Sequence, residues 1–120
     1  MSIHITEIKL NKKARTLDLT FGNGEKFTLT SEYLRINSPS AEVQGHGPGQ
    51  GTLQIGKADV AIDKIDSVGN YAIQLHFDDN HNTGIYSWTT LYDLASNHDK
   101  YWAEYLQQLK EAGHKIPNDA

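Results

Sequence analysis

Apolar residues along this chain follow two periods. Up to about residue 86 they recur mainly at every second position, the mark of strands with one buried face. Beyond residue 87 they recur three or four apart, as on one face of a helix. Ile3 and Ile5 share one alternation and Ile8 and Leu10 the opposite one, which predicts a bulge near Thr6-Glu7. Asn11-Lys12-Lys13-Ala14-Arg15 reads as a polar turn. Leu17, Leu19 and Phe21 then alternate with Asp18 and Thr20, and Phe27 and Leu29 follow after Gly22-Asn23-Gly24.

The glycines fix a register. A three-residue loop Gly22-Asn23-Gly24, with Gly24 left-handed, sets Phe21 opposite Glu25, Leu19 opposite Phe27 and Leu17 opposite Leu29. A two-residue loop would slip the pairing by one and turn one strand's apolar set into water. Ser31 to Ile36 reads as a short helical turn that must stop before Pro39. Periodicity is lost from Asn37 to Thr52, where Gly45, Gly47, Gly49 and Gly51 alternate around Pro48. A structureless stretch of that length in a domain is usually functional or mobile.

Strand signals return at Val60-Ala61-Ile62 and run through Ile65. Tyr71, Ile73, Leu75 and Phe77 alternate with Ala72, Gln74 and His76, then Asp78 to Asn82 forms a turn. Thr83 to Tyr86 starts a further short strand. Ser87 is a good N-cap for a helix carrying Trp88, Leu91, Tyr92 and Ala95 on one face. A second helix is expected from about Asp99, with Trp102, Tyr105, Leu106 and Leu109 at helical spacing and Gly113 as its cap. The fold class is α+β: an antiparallel, strand-rich sheet, a short helical turn after the first hairpin, and two helices at the C-terminus. We expect a single domain over residues 1–112, with no internal repeat, and a disordered tail over 113–120.

Composition narrows the chemistry. The 120 residues include no cysteine, so disulfides, thiolate nucleophiles and thiolate-held metal clusters are excluded. The net charge is −4, and the one basic cluster, Lys9, Lys12, Lys13 and Arg15, brackets a turn, where solvation explains it. Nucleic acid is therefore not an expected partner. No apolar run is long enough to span a bilayer, and the start resembles no signal peptide, so the expected compartment is the cytoplasm.

Catalytic motifs fail one by one. The glycine run over residues 45–51, which includes His46, lacks the Gly-Lys-Ser/Thr ending of a phosphate loop, and no helix start follows it. His76-Phe77-Asp78 matches half of a facial iron triad without a second histidine. Ser87 sits in Gly84-Ile85-Tyr86-Ser87-Trp88, which lacks the second glycine of a nucleophile elbow.

Three stretches carry a resemblance. They are Tyr33-Leu34-Arg35-Ile36-Asn37-Ser38-Pro39-Ser40-Ala41-Glu42-Val43, Val68-Gly69-Asn70-Tyr71-Ala72-Ile73, and Asp79 to Trp88 with Leu91 and Leu94. Together they resemble the gamma-butyrobetaine-hydroxylase-like N-terminal domain family, a domain of unknown function found alone in bacteria. In the carnitine-pathway dioxygenases such a domain precedes the catalytic one, so the resemblance implies a non-catalytic role here. It also implies a zinc position with three cysteines and one histidine, matched in this chain by Ser38, Ser40, Val43 and His81. Hydroxyls do not replace thiolates around zinc and valine cannot ligate, so no cofactor is expected. His81 is instead expected to hydrogen-bond to the Ser38-to-Val43 loop.

A similar domain is appended to P-loop scaffold ATPases of iron–sulfur assembly. The resemblance thus implies a binding or adaptor domain, accessory to metal-cofactor or iron–sulfur metabolism, with a protein partner. The candidate interaction surface is Arg35, Ser38, Ser40, His46, Asp78, Asp79, His81, Tyr86 and Trp88. The alternative is a metal-binding protein using His81 with His46 and Asp78 or Asp79, and an enzyme is the reading with least support.

Overall fold

The computed structural model describes residues 3–40, 43 and 53–113. Its elements are β1 (Ile5–Asn11), β2 (Thr16–Phe21), β3 (Lys26–Thr30), α1 (Ser31–Ile36), β4 (Ile62–Val68), β5 (Ala72–Phe77), β6 (Ile85–Ser87), α2 (Trp88–Ser96) and α3 (His98–Glu111). The strands form two three-stranded antiparallel sheets, ordered β1-β2-β3 and β4-β5-β6.

The first hairpins follow the sequence closely. The register shifts between Ile5 and Glu7, so the alternation changes at Thr6. Leu17 pairs with Leu29 and Leu19 with Phe27, Phe21 N–H donates to the Glu25 carbonyl at 2.9 Å, and Gly24 adopts φ 89°. The three-residue loop therefore keeps Leu17, Leu19, Phe21 and Leu29 buried together. Thr30 starts α1, its hydroxyl accepting from Tyr33 N–H at 3.1 Å.

The second sheet differs from expectation at both ends. The expected strand at Val60 begins at Ile62 and runs on through Val68, because Asp78 pairs with the Ala61 backbone and holds residues 60 and 61 as a connection. Tyr71 carries the right alternation but stands before β5 at the end of the hairpin, where 69% of it is exposed. Ser87 caps α2 as expected, its Oγ accepting from Thr90 N–H at 3.1 Å. The long Asn37–Thr52 loop falls mostly outside the described residues, as does the C-terminal tail from residue 114.

Both sheets, α1 and α2 share one core of Leu17, Leu19, Phe21, Leu29, Tyr33, Leu34, Ile62, Ile73, Leu75, Phe77, Tyr86, Leu91 and their neighbours. Ile36, Tyr105 and Leu109 make a smaller cluster where α3 joins. All six residues of α1 are buried, so this one short helix carries polar side chains into the interior.

Candidate functional site

Helix α1 and the β5–β6 turn meet across the core, and their polar side chains pair there. Past the C-terminus of α1, Ser38 is fully buried and its Oγ lies 2.9 Å from His81 Nε2. Two residues on, Ser40 Oγ lies 2.7 Å from Thr83 Oγ1, and Ser40 N–H donates back to Ser38 Oγ at 3.3 Å. Two hydroxyl links thus clasp the loop after α1 to the β5–β6 turn. Gly84 makes the approach feasible: a Cβ there would stand 2.4 Å from Ser38 Oγ and 3.2 Å from Tyr86 Cε1. The expected bond from His81 to the Ser38 loop is present, and a glycine that sequence reading left unexplained makes room for it.

A charged layer flanks this clasp. Arg35, its side chain only 8% exposed, donates Nε to Asp79 Oδ2 at 3.0 Å and Nη1 to Gln54 Oε1 at 3.0 Å. Lys57 Nζ reaches the same Asp79 oxygen at 2.9 Å, while Asp79 Oδ1 accepts from His81 N–H at 3.2 Å. Burial alone would raise the Asp79 pKa. The Lys57 and Arg35 charges and the His81 N–H outweigh it and hold the carboxyl below its usual value. A buried arginine is tolerable because its charge is matched and its donors are placed.

Two tyrosines close the interior. Tyr33 Oη donates to the Leu94 carbonyl and Tyr86 Oη to the Leu34 carbonyl, each at 2.6 Å. Burial pushes both phenols well above their ordinary pKa, and for Tyr86 a hydrogen bond with Ser38 opposes the rise without reversing it. Tyr105 Oη donates to the buried Glu32 carboxylate at 3.1 Å.

The other sequence candidates scatter. Asp78 is exposed and its Oδ1 accepts from Ala61 N–H. Half-buried Trp88 donates Nε1 to the Asn70 carbonyl, and His46 lies outside the described residues. His76 Nε2 sits 2.8 Å from Asp66, while the Asp78 carboxylate accepts from Ala61 N–H, so each member of the His-x-Asp pair has another partner. Among the described residues, no three His, Asp or Glu side chains converge as a metal site would need. Arg35, Ser38, Ser40, His81 and Tyr86 are all buried, so they build the interior behind the surface on which sequence reading placed them. Lys57, Gln54 and Thr83 complete the arrangement and were not singled out, since nothing local marks a partner so far along the chain.

The profile of the family described as gamma-butyrobetaine hydroxylase-like, N-terminal, matches residues 8–92. The chain belongs to this family. Two relatives with NMR solution structures are 49% and 42% identical. The first alignment covers 95% of this chain and 85% of the relative with a TM-score of 0.81. The second covers 98% and 92% with a TM-score of 0.82. A protein of unknown function from Acidithiobacillus ferrooxidans, assigned to the DUF971 family, is 35% identical over 77% of this chain and 92% of its own, with a TM-score of 0.63. No curated protein matches the chain.

The match spans both halves of the clasp, Ser38–Ser40 and His81–Thr83. The zinc that the family resemblance implies does not fit these residues. Ser38 and Ser40 offer neutral hydroxyls already bonded to His81 and Thr83, and Val43 offers no donor. Among the described residues no helix is long and apolar enough to cross a membrane.

Proposed function

We propose that this family member is a non-catalytic binding or adaptor domain, accessory to metal-cofactor or iron–sulfur metabolism. One observation carries the reading. Among the described residues, the reactive groups that meet at the clasp, Ser38, His81, Arg35 and Asp79, are bound to one another and hold two loops together. A nucleophile must reach its substrate, and Ser38 Oγ is wholly enclosed between His81, Gly84 and Tyr86. The link to metal-cofactor metabolism rests on the family alone.

Affinity purification from native cells, with mass spectrometry and metal content measured on one sample, tests this. The expected result is a specific protein partner and substoichiometric zinc, iron and copper. Robust turnover of a small molecule, together with no specific partner, would overturn it.

A further inference from the structure

The tip of the β1–β2 hairpin is explained by neither the core nor the polar clasp. Residues 12–15 turn the chain between the paired Asn11 and Thr16. Asn11 Oδ1 accepts from Ala14 N–H at 2.9 Å and winds the first part of the turn. Arg15 closes it at φ 56°, in the left-handed region. That conformation suits glycine, is tolerated by asparagine and disfavours other side chains. Among the described residues, the other non-glycine residue held there is Asn80, a type that accepts it.

The fold uses the Arg15 backbone and leaves its side chain idle. The Arg15 carbonyl accepts both Ser31 N–H at 2.9 Å and Ser31 Oγ at 3.2 Å, tying the hairpin to α1. Glycine would provide the same carbonyl without strain. Among the described residues, the exposed side chains of Lys12, Lys13 and Arg15 make no ion pair or hydrogen bond. Arg15 thus combines a strained backbone with a cationic side chain that the fold leaves unpaired.

We propose that Lys12, Lys13 and Arg15 form a docking site for a short acidic protein segment, a deepening that rests on the adaptor reading above. Three cations match a few carboxylates, and the Arg15 guanidinium can grip one of them through two parallel hydrogen bonds. A nucleic-acid surface draws on about 6–10 phosphate contacts, and the net charge of −4 opposes a long polyanion. An anionic membrane is recognised by clusters of about four to eight cations; the fourth cation near this turn, Lys9, faces Glu7 at 3.8 Å, which leaves three, and Ala14 is the one apolar residue in the turn.

The test is an NMR titration of the full chain with hexaglutamate at low and physiological salt. Shifts should centre on residues 12–16, with affinity falling several-fold as salt rises. Arg15→Gly should weaken binding about two- to five-fold while raising Tm by about 2–5 °C. Lys12→Glu with Lys13→Glu should abolish binding. Opposite signs in stability and binding separate a docking arginine from a structural one. The proposal is overturned if the hairpin does not shift, if Arg15→Gly lowers Tm, or if a charge-matched oligonucleotide or anionic vesicle binds the tip more tightly than the peptide. A native partner whose capture survives both sets of substitutions would keep the adaptor reading and remove this one.

Discussion

Gly84→Ala puts the clasp to its hardest test. The added methyl would stand 2.4 Å from Ser38 Oγ, closer than real Cβ contacts come, and 3.2 Å from Tyr86 Cε1. Ser38 and Tyr86 are both fully buried and hydrogen-bonded, so neither can step aside without losing a partner. Overpacking of this kind costs about 1–3 kcal/mol. Alanine also restricts the unfolded chain, which returns about 0.4–1 kcal/mol where the native backbone suits it. The net expectation is a loss of about 1–2 kcal/mol, or a Tm lower by about 4–8 °C. Denaturant unfolding reads this as a lower midpoint at constant slope. Ser38→Ala removes the clashing oxygen, so in that background the cost of Gly84→Ala should shrink by about 1 kcal/mol. If Gly84→Ala stays within about 0.5 kcal/mol of wild type, the close packing of β6 on the Ser38 loop is refuted.

Three further outcomes follow. His81→Ala should cost about 2 kcal/mol and raise amide exchange at Ser40, whose N–H depends on the Ser38 hydroxyl that His81 holds. Unchanged exchange there would dismiss the clasp. Asp79→Asn leaves Arg35 and Lys57 without their shared carboxylate and should cost about 2 kcal/mol at neutral pH. The folded-state Asp79 pKa is lowered, so its contribution is present above the unfolded value near 4 and lost as pH falls through the folded one. The variant should accordingly show a shallower acid-induced loss of stability below about pH 4, and parallel curves for the two proteins would contradict the ion-pair geometry. Ser38→Cys, Ser40→Cys and Val43→Cys combined should gain one zinc per chain with His81, by elemental analysis; no gain over wild type would show that these four positions do not correspond to the family's metal site.

The hairpins were legible because local chemistry decides them. Gly22-Asn23-Gly24 can close in one register that keeps Leu17, Leu19 and Phe21 on the side of Phe27 and Leu29, and the structure has that register. Ser87 and the face of Trp88, Leu91, Tyr92 and Ala95 placed α2 for the same reason, and the structure buries Leu91 and Ala95 of that face together with Leu94. Tyr71 failed because alternation reports which side a residue takes, not where a strand stops. The hairpin turns at Gly69, with φ 60°, and carries Tyr71 out into solvent. The splitting of six strands into two sheets has no local signature at all, because β3 and β4 are separated by α1 and the long loop.

The buried centre was legible only in part, and the limit is a matter of distance along the chain. Ser38 and His81 are 43 residues apart, Arg35 and Asp79 are 44 apart, and Lys57 is 22 from Asp79. No periodicity carries such pairings. The resemblance supplied the first of them, because it names positions that must lie close together. It said nothing of the charged layer, which follows from a different constraint. Once α1 lies wholly inside, the Arg35 guanidinium needs a carboxylate within reach, and the β5–β6 turn that brings His81 to Ser38 also brings Asp79. The hydroxyl clasp and the Arg35–Asp79 pair are therefore coupled through one turn. Loosening either should weaken the other, and a His81→Ala, Asp79→Asn double-mutant cycle reads that coupling directly as a non-additive loss of about 0.5 kcal/mol or more.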